Sequence, residues 1–337
     1  MSFTKIEASG LDVGPLSGNR NKIINGDMTI SQRGTSFVSP ANATYNLDRF
    51  LWGQSGTMAV TITQSTDVPN NTFQNSLKVD VTTADTPLAA GDNSAIIQRI
   101  EGYNVRDLIG QTFTLSFWVK SPKTGVHCVS FRNSLNDRSY VTEYTVITAN
   151  TWEYKTITVV GGLITTGTWD WTNSTGLSVR YDLGSGTTYQ TTAGSWQVGN
   201  FHCTANQVNV MDNVANDFFL TGVQLEVGTV ATPFERRPYG TELALCQRYY
   251  YESITNNTTR RRWAGSTAAS YLAHELTFPV TMRATPNIGT DGNALTNCTA
   301  LATVMVTPNA VAWTVTSSIA GGIFSASWDK TTADAEI

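Results

Sequence analysis

From Asn21 to about Arg237 the chain is a succession of short segments in which apolar and polar residues alternate, each closed by a turn signal. The alternation is plain in Met58 to Thr63, Ser76 to Val81, Thr112 to Lys120, His127 to Arg132, Tyr140 to Ile147, Glu153 to Val160 and Leu177 to Leu183. Ser121-Pro122, Gly161-Gly162 and Gly184-Ser185-Gly186 punctuate them. A period of two sends successive side chains to opposite faces of a strand, so each segment is expected to give one face to a core. Many such strands with no helical period between them fold as a sandwich or jelly roll. In Thr112 to Lys120 the core face is Phe113, Leu115, Phe117 and Val119, which leaves Trp118 as the lone large aromatic on the other face.

Composition supports the same class. Charged residues are 14% of the chain, against about 25% in an average soluble domain. Threonine, about one residue in seven, supplies much of the missing polarity together with Asn, Ser and Gly. Thr loses rotamer freedom in a helix, and Asn and Gly prefer turns. With 22 Lys and Arg against 26 Asp and Glu the net charge is -4, so no nucleic-acid partner is expected, because phosphate binding wants a basic face. No apolar run approaches the ~18 residues that would span a bilayer, and the first ten residues lack the basic and apolar regions of a secretory signal. No membrane insertion and no export by that route are expected.

The four cysteines, Cys128, Cys203, Cys246 and Cys298, have no short spacing that would frame disulfides or a zinc knuckle, and they read as small buried hydrophobes. His127-Cys128 and His202-Cys203 are adjacent pairs whose members point to opposite faces of a strand. Neither dipeptide can therefore chelate one ion, and no metal site is expected.

Four regions follow. Residues 1–20, rich in Gly and Ser, read as an N-terminal arm that orders against something else. Residues 21–237 are the jelly roll. Residues 238–252 hold the one helical stretch, Thr241 to Tyr250, with Thr241 placed as N-cap and Glu242 suited to the helix dipole. It is apolar nearly all round, so Leu243, Cys246, Tyr249 and Tyr250 are expected to pack between domains or subunits. Residues 253–337 return to alternation near Leu272 to Val280, Ala300 to Thr307, Val311 to Thr316 and Gly322 to Ser327, a smaller C-terminal β-sandwich. The expected fold class is all-β: a jelly-roll sandwich, a short helix, then a smaller β domain.

Specific strings add to this reading. Asn21-Lys-Ile-Ile-Asn-Gly-Asp-Met28, Gln32-Arg33-Gly34, Leu47-Asp48-Arg49-Phe50, Thr114 to Lys120 and Asn150 to Lys155 are the first of them. Phe219-Leu-Thr-Gly-Val-Gln-Leu-Glu-Val-Gly228 and the junction Ala231 to Tyr250 follow, then Phe278 to Pro286 and the closing Ala335-Glu336-Ile337. From Asn21 to the end, these resemble the tail fibre and receptor-binding proteins of bacteriophages. The resemblance implies a carbohydrate-binding-module-like jelly roll, a virion location, a homotrimer and attachment to a host-surface polysaccharide. It also implies docking on the tail or another virion protein through the N-terminal arm. Related bacterial sugar-binding jelly rolls often hold calcium with a Glu after the Asn-Gly start and an Asp pair in the last strand. Thr29 and Thr221-Gly222 stand at those places here, so neither calcium nor any other cofactor is expected.

Sugars are held by aromatic faces and planar polar groups. The candidates are Trp118, Trp169 and Trp171, which share a face if that segment is extended, and Tyr181. Arg132, Asn133, Arg138, Tyr140 and Glu143 crowd one stretch and could bond hydroxyls, or pair with one another across strands. Arg260-Arg261-Arg262-Trp263 could meet an anionic sugar, or form a solvated turn or an ion cluster. Only His127, His202 and His274 are available as imidazole bases, and no hydrolase, zincin or P-loop motif is present, so a non-catalytic protein is expected. A purely structural tail or capsid fibre, and a polysaccharide depolymerase, are the alternatives.

Overall fold

The computed structural model of the chain describes residues 19–254, 261–265, 270–291, 294–318, 322–327 and 330–337. Nearly all of the N-terminal arm, and Arg260 of the arginine run, lie outside the described residues. Among the described residues the chain is all-β apart from one α-helix and a few short turns of 3-10 helix, and it divides into two compact units between Arg237 and Pro238.

The first unit is a two-sheet jelly roll. One sheet runs β1 (Ser36–Val38), β4 (Ala59–Ser65), β5 (Ser76–Thr83), β13 (Asp217–Val227), β7 (Phe113–Lys120), β10 (Glu153–Val159). The second runs β12 (Trp196–Val198), β9 (Arg138–Val146), β8 (Gly125–Arg132), β11 (Thr175–Ser185), β6 (Asn93–Glu101), β3 (Leu51–Ser55), β2 (Thr44–Tyr45). The pairings within both sheets are antiparallel. Their inner faces interdigitate, and Phe113, Leu115, Phe117 and Val119 of β7 are all fully buried there. Phe117 meets Tyr144 of β9 and Tyr181 of β11 edge-on at 5.1 Å each, an arrangement that suits the ring quadrupoles.

Strand β13 changes parity halfway. Phe218 and Leu220 face the core in its first half and Val223 and Leu225 in its second, with the register against β7 slipping between Thr221 and Gln224. Gly222 is the extra residue, at a φ of +62° that costs an L side chain roughly 1–2 kcal/mol. The bulge lets both halves bury their apolar set.

A strap lies over the outer face of each sheet. Residues 228–237 cross the first, where the Gln224 amide donates to Thr232 O at 3.1 Å, Thr232 donates to Glu226, and Glu235 N donates to Gln224 Oε1 at 2.7 Å. The same strap holds the start of the unit: Asn21 N donates to Glu235, and the Arg237 guanidinium to the carbonyls of Asn21 and Ile23. Residues 186–209 cross the second sheet, bonded to Asp137, Ser139, Val141 and Glu143 on or beside β9 and to Asp182 on β11.

The second unit begins with α1 (Tyr239–Gln247). The helix starts two residues before Thr241, with Pro238 at its N-cap and the Pro238 carbonyl taking the amides of Thr241 and Glu242. Thr241 is therefore inside the first turn rather than capping it. Pro238 fixes the entry through its backbone carbonyl, so no capping side chain is needed. Tyr250 belongs to the next strand and not to the helix. That strand, β14 (Tyr250–Ile254), pairs with β22 (Lys330–Asp334), which also pairs β17 (Asn287–Asp291). The other small sheets are β15 (Arg261–Gly265), β21 (Gly322–Ser327), β18 (Ala294–Thr296), and β16 (Ser270–Thr277), β20 (Ala310–Ser317), β19 (Cys298–Val306). Phe278, Met282, Val311, Trp313 and Val315 form its buried centre.

Candidate functional site

Trp118 and Tyr154 are directly opposite one another on β7 and β10, with rings 5.3 Å apart and tilted by 49°. They form an aromatic ledge on the outer face of the first sheet, and Tyr154 is 44% exposed. Gly222 lies beside the ledge. A Cβ there would stand 2.8 Å from Phe73 Cζ and 3.0 Å from Trp118 Cδ1, so the bulge glycine is what lets these two rings approach across β13.

The strap closes the other side. Ala231 to Phe234 run along it, and Phe234 meets Phe73 edge-on at 5.5 Å. The Arg236 guanidinium lies over Phe73 at 4.7 Å and over Phe234 at 5.4 Å, and reaches Asp27 at 3.9 Å. The result is an open cleft of about 610 Å³, floored by Ser116, Trp118, Tyr154 and Gly222 and rimmed by Asn70, Thr72, Thr232 and Arg236. Its chemistry is an apolar, aromatic floor with amide, hydroxyl and guanidinium groups at the edge. That combination fits a ring with one C–H face and a fringe of hydroxyls. None of its lining residues is Asp, Glu or His.

Of the sequence candidates, only Trp118 is in this cleft. Trp169 and Trp171 do come together, stacked at 5.0 Å with planes 8° apart, but each spends a face on the other. Trp169 also meets Trp196 edge-on, Trp196 meets Tyr140, and all four pack against the main core. Asn133 and Asp137 pin this loop by bonds to Thr168, so the aromatic group caps the sandwich.

Tyr181 is a correction. It is completely buried against Phe117 and presents no face to a ligand, because it shares its parity on β11 with the core residues Leu177, Val179 and Leu183. Arg138 is half-buried and donates to Asp137 O at 2.8 Å. Glu143 accepts from Thr204 and Asn206 of the second strap, so it fastens that strap. Cys246, Tyr249 and Tyr250 are buried by their own chain, and Tyr249 O accepts from Ala335 N at 2.7 Å. They are therefore not free to pack against another copy, while Leu243 is half-buried. Of the arginine run, Arg261 and Arg262 lie on β15, whose side chains are not described.

The outer face of the second sheet differs. Arg132 is 7% exposed; its Nη1 donates to Asn200 Oδ1 at 2.6 Å and lies 3.1 Å from His202 Nε2. Burial, followed by the nearby Arg180 and Arg99, pulls the Arg132 guanidinium down to about 9. Burial and the same arginine cluster, Arg180 before Arg132, hold His202 well below the usual imidazole range. Asp182 accepts from Arg180 Nε at 3.1 Å, Gly184 N at 3.1 Å and Ser185 Oγ at 2.7 Å, and also from Gln207. His127 and Cys128 take opposite faces of β8. His127 stacks on Tyr144 in the core, and burial pushes the Cys128 thiol up to about 12.

Tyr154, Phe73, Phe234, Gly222 and Arg236 were not singled out from sequence. One local signal existed: in Phe218 to Val227 the apolar parity switches across Gly222, which marks a bulge. Nothing local brings Phe73 and Phe234 to Trp118.

No family model and no curated protein matches the chain. Among solved structures it is similar to the enzymatically active domain of tailspike protein 4 of bacteriophage CBA120, at 17% identity and a TM-score of 0.35. That match covers 63% of this chain and 22% of that one. A family 11 carbohydrate-binding module of Clostridium thermocellum matches at 11% identity and a TM-score of 0.33, covering 58% of this chain and 97% of the module. A sugar-binding protein of Bacteroides thetaiotaomicron, so described provisionally, matches at 14% identity and a TM-score of 0.32, over 61% and 99% of the two chains.

Proposed function

We propose that this protein is a bacteriophage virion fibre that holds a host-surface polysaccharide without cleaving it. The observation that carries the glycan part is the open cleft over the Trp118–Tyr154 ledge, which offers ring faces below and hydrogen-bonding groups at the rim. The fibre part is supported by the motif resemblance. In this structure its separate strings join: Asn21, Gln224, Glu226, Thr232 and Glu235 are one bonded set under the first strap.

A sugar enters with its C–H face on Trp118 and Tyr154, while Arg236 and Asn70 take hydroxyls. Aromatic contacts of this kind contribute about 0.5–1.5 kcal/mol beyond area burial, so a single cleft binds weakly. A homotrimer, with several fibres per particle, turns weak sites into firm yet reversible attachment. The cleft lining has no carboxylate or imidazole for general acid–base cleavage, which supports binding rather than hydrolysis there.

The test is retention of the purified protein on extracted bacterial surface polysaccharides, with chromatography of the products and mass measurement of the free protein. Retention of the wild type, its loss in Trp118→Ala, and intact polysaccharide are expected. Released oligosaccharides would make the protein a depolymerase. No retention on any host polysaccharide would leave a structural fibre, and a monomeric mass would remove the trimer.

A further inference from the structure

Arg99 on β6, Ser178 on β11 and Arg132 on β8 stand side by side on three neighbouring strands, and Arg180 is two residues along β11 from Ser178. All of these positions have the opposite parity to the core residues Ile100, Val179 and Phe131, so they share the outer face of the second sheet. Three arginines on adjoining strands are a like-charge group that a sheet does not gather without a counter-charge.

Asp182 acts on Arg132 through its field but makes no hydrogen bond with it. Asp182 is engaged by Arg180, Gly184, Ser185 and Gln207. Among the described residues the side-chain partners of Arg132 are the neutral Asn200 and His202, and its Nε has none. His202 cannot serve as an anion, and burial, followed by its arginine neighbours, holds it neutral. A guanidinium nine-tenths buried with only neutral partners is a costly arrangement, and a low-dielectric surround concentrates its field at the part that reaches solvent.

We propose that Arg132, with Arg99 and Asn200 beside it, is a second glycan subsite that takes the anionic group of an acidic sugar, a carboxylate or a phosphate ester. The chain is acidic as a whole, yet this patch selects a charged residue of the polymer. The cleft on the other sheet takes a neutral ring face. The subsite rests on the glycan reading for the polymer that presents the anion, and on its own geometry for the anion itself.

The test follows the Arg132 Nε–H signal by nuclear magnetic resonance in the wild-type protein, titrated to millimolar concentration with trigalacturonate, glucose 1-phosphate, the carboxyl-reduced trisaccharide and inorganic phosphate. A shift with at least one acidic sugar, none with the reduced trisaccharide, and weaker binding as salt rises are expected. No shift with either acidic sugar overturns the subsite. An equal shift with inorganic phosphate reduces it to an ion site and overturns its link to glycan. Arg132→Gln is expected to lose at least tenfold in affinity for the acidic sugar, and Trp118→Ala to keep it. Should Arg132→Gln fail to fold, the wild-type titration decides. Acidic-sugar binding by a protein whose Trp118→Ala variant retains all polysaccharide would sink the cleft and spare this site.

Discussion

The two sheets of the jelly roll carry the same alternation and the same kind of strap, but the surfaces beneath the straps are opposites. On the first sheet the strap of residues 228–237 stops short of Trp118 and Tyr154 and leaves an open aromatic cleft. On the second, residues 186–209 cover β8, β9 and β11 closely enough to bury Arg132, Asp182 and His202. The difference lies in what the outward positions hold. Under the first strap Gln224, Thr114 and Ser116 stand beside one carboxylate, Glu226, whose oxygens are taken up by Thr232 and Gln224, so a few amide and hydroxyl bonds fasten the strap. Arginines and an aspartate demand that every group nearby be arranged around them.

The covered face should break first. Asp182→Ala leaves the Arg180 guanidinium buried without its carboxylate, and urea unfolding should show a loss of about 3–5 kcal/mol. An unchanged midpoint would mean that the covered face is no more demanding than the open one.

Acid should separate the two faces next. His202 on the covered face and His127 in the core are held below the imidazole range, His127 by burial first. The unfolded chain binds protons near pH 6.5 that the folded chain refuses, so this stability is complete above about pH 6.5 and lost as pH falls. For His202 the expected slope between about pH 6 and 5 is close to 1.4 kcal/mol per unit, with a further loss of the same sign from His127, and His202→Gln should remove the His202 share. Thermal melts across that range check it, and a flat profile would contradict the burial of both rings.

On the open face the changes are smaller. Gly222→Ala meets a φ of +62° and places a methyl 2.8 Å from Phe73 Cζ, so roughly 1–2 kcal/mol of stability should go, together with cleft binding. Trp118→Ala should cost only about 1 kcal/mol in folding, since the ring lies outside the core on a partly exposed face, while polysaccharide affinity drops about tenfold. Calorimetry on both variants compares them. Equal stability losses would mean that the bulge carries no backbone strain.

The strands were legible because period two survives wherever one face is buried. Thr112 to Lys120 and Leu177 to Leu183 were located to within two residues at either end, and the core face of the first was complete. Tyr181 was misjudged although its parity already placed it with Leu177 and Val179; its hydroxyl invited a surface role that alternation denied. The helix boundary was missed because a backbone carbonyl, not a Thr side chain, does the capping. The cleft was half legible. Trp118 stood out on a non-core face, but its neighbours come from four other places in the chain and meet only through the register of β7, β10 and β13 and the path of the first strap. The crowding of Arg99, Arg132 and Arg180 is likewise a product of register across β6, β11 and β8.

The bonds from Glu235 and Arg237 to Arg20, Asn21 and Ile23 tie the two ends of the jelly roll together at a single knot. Tension applied between those two points runs through that knot and bypasses the sheets. Pulled from both ends, the jelly roll hangs beside the line of force, and its cleft keeps its shape until the knot itself gives way.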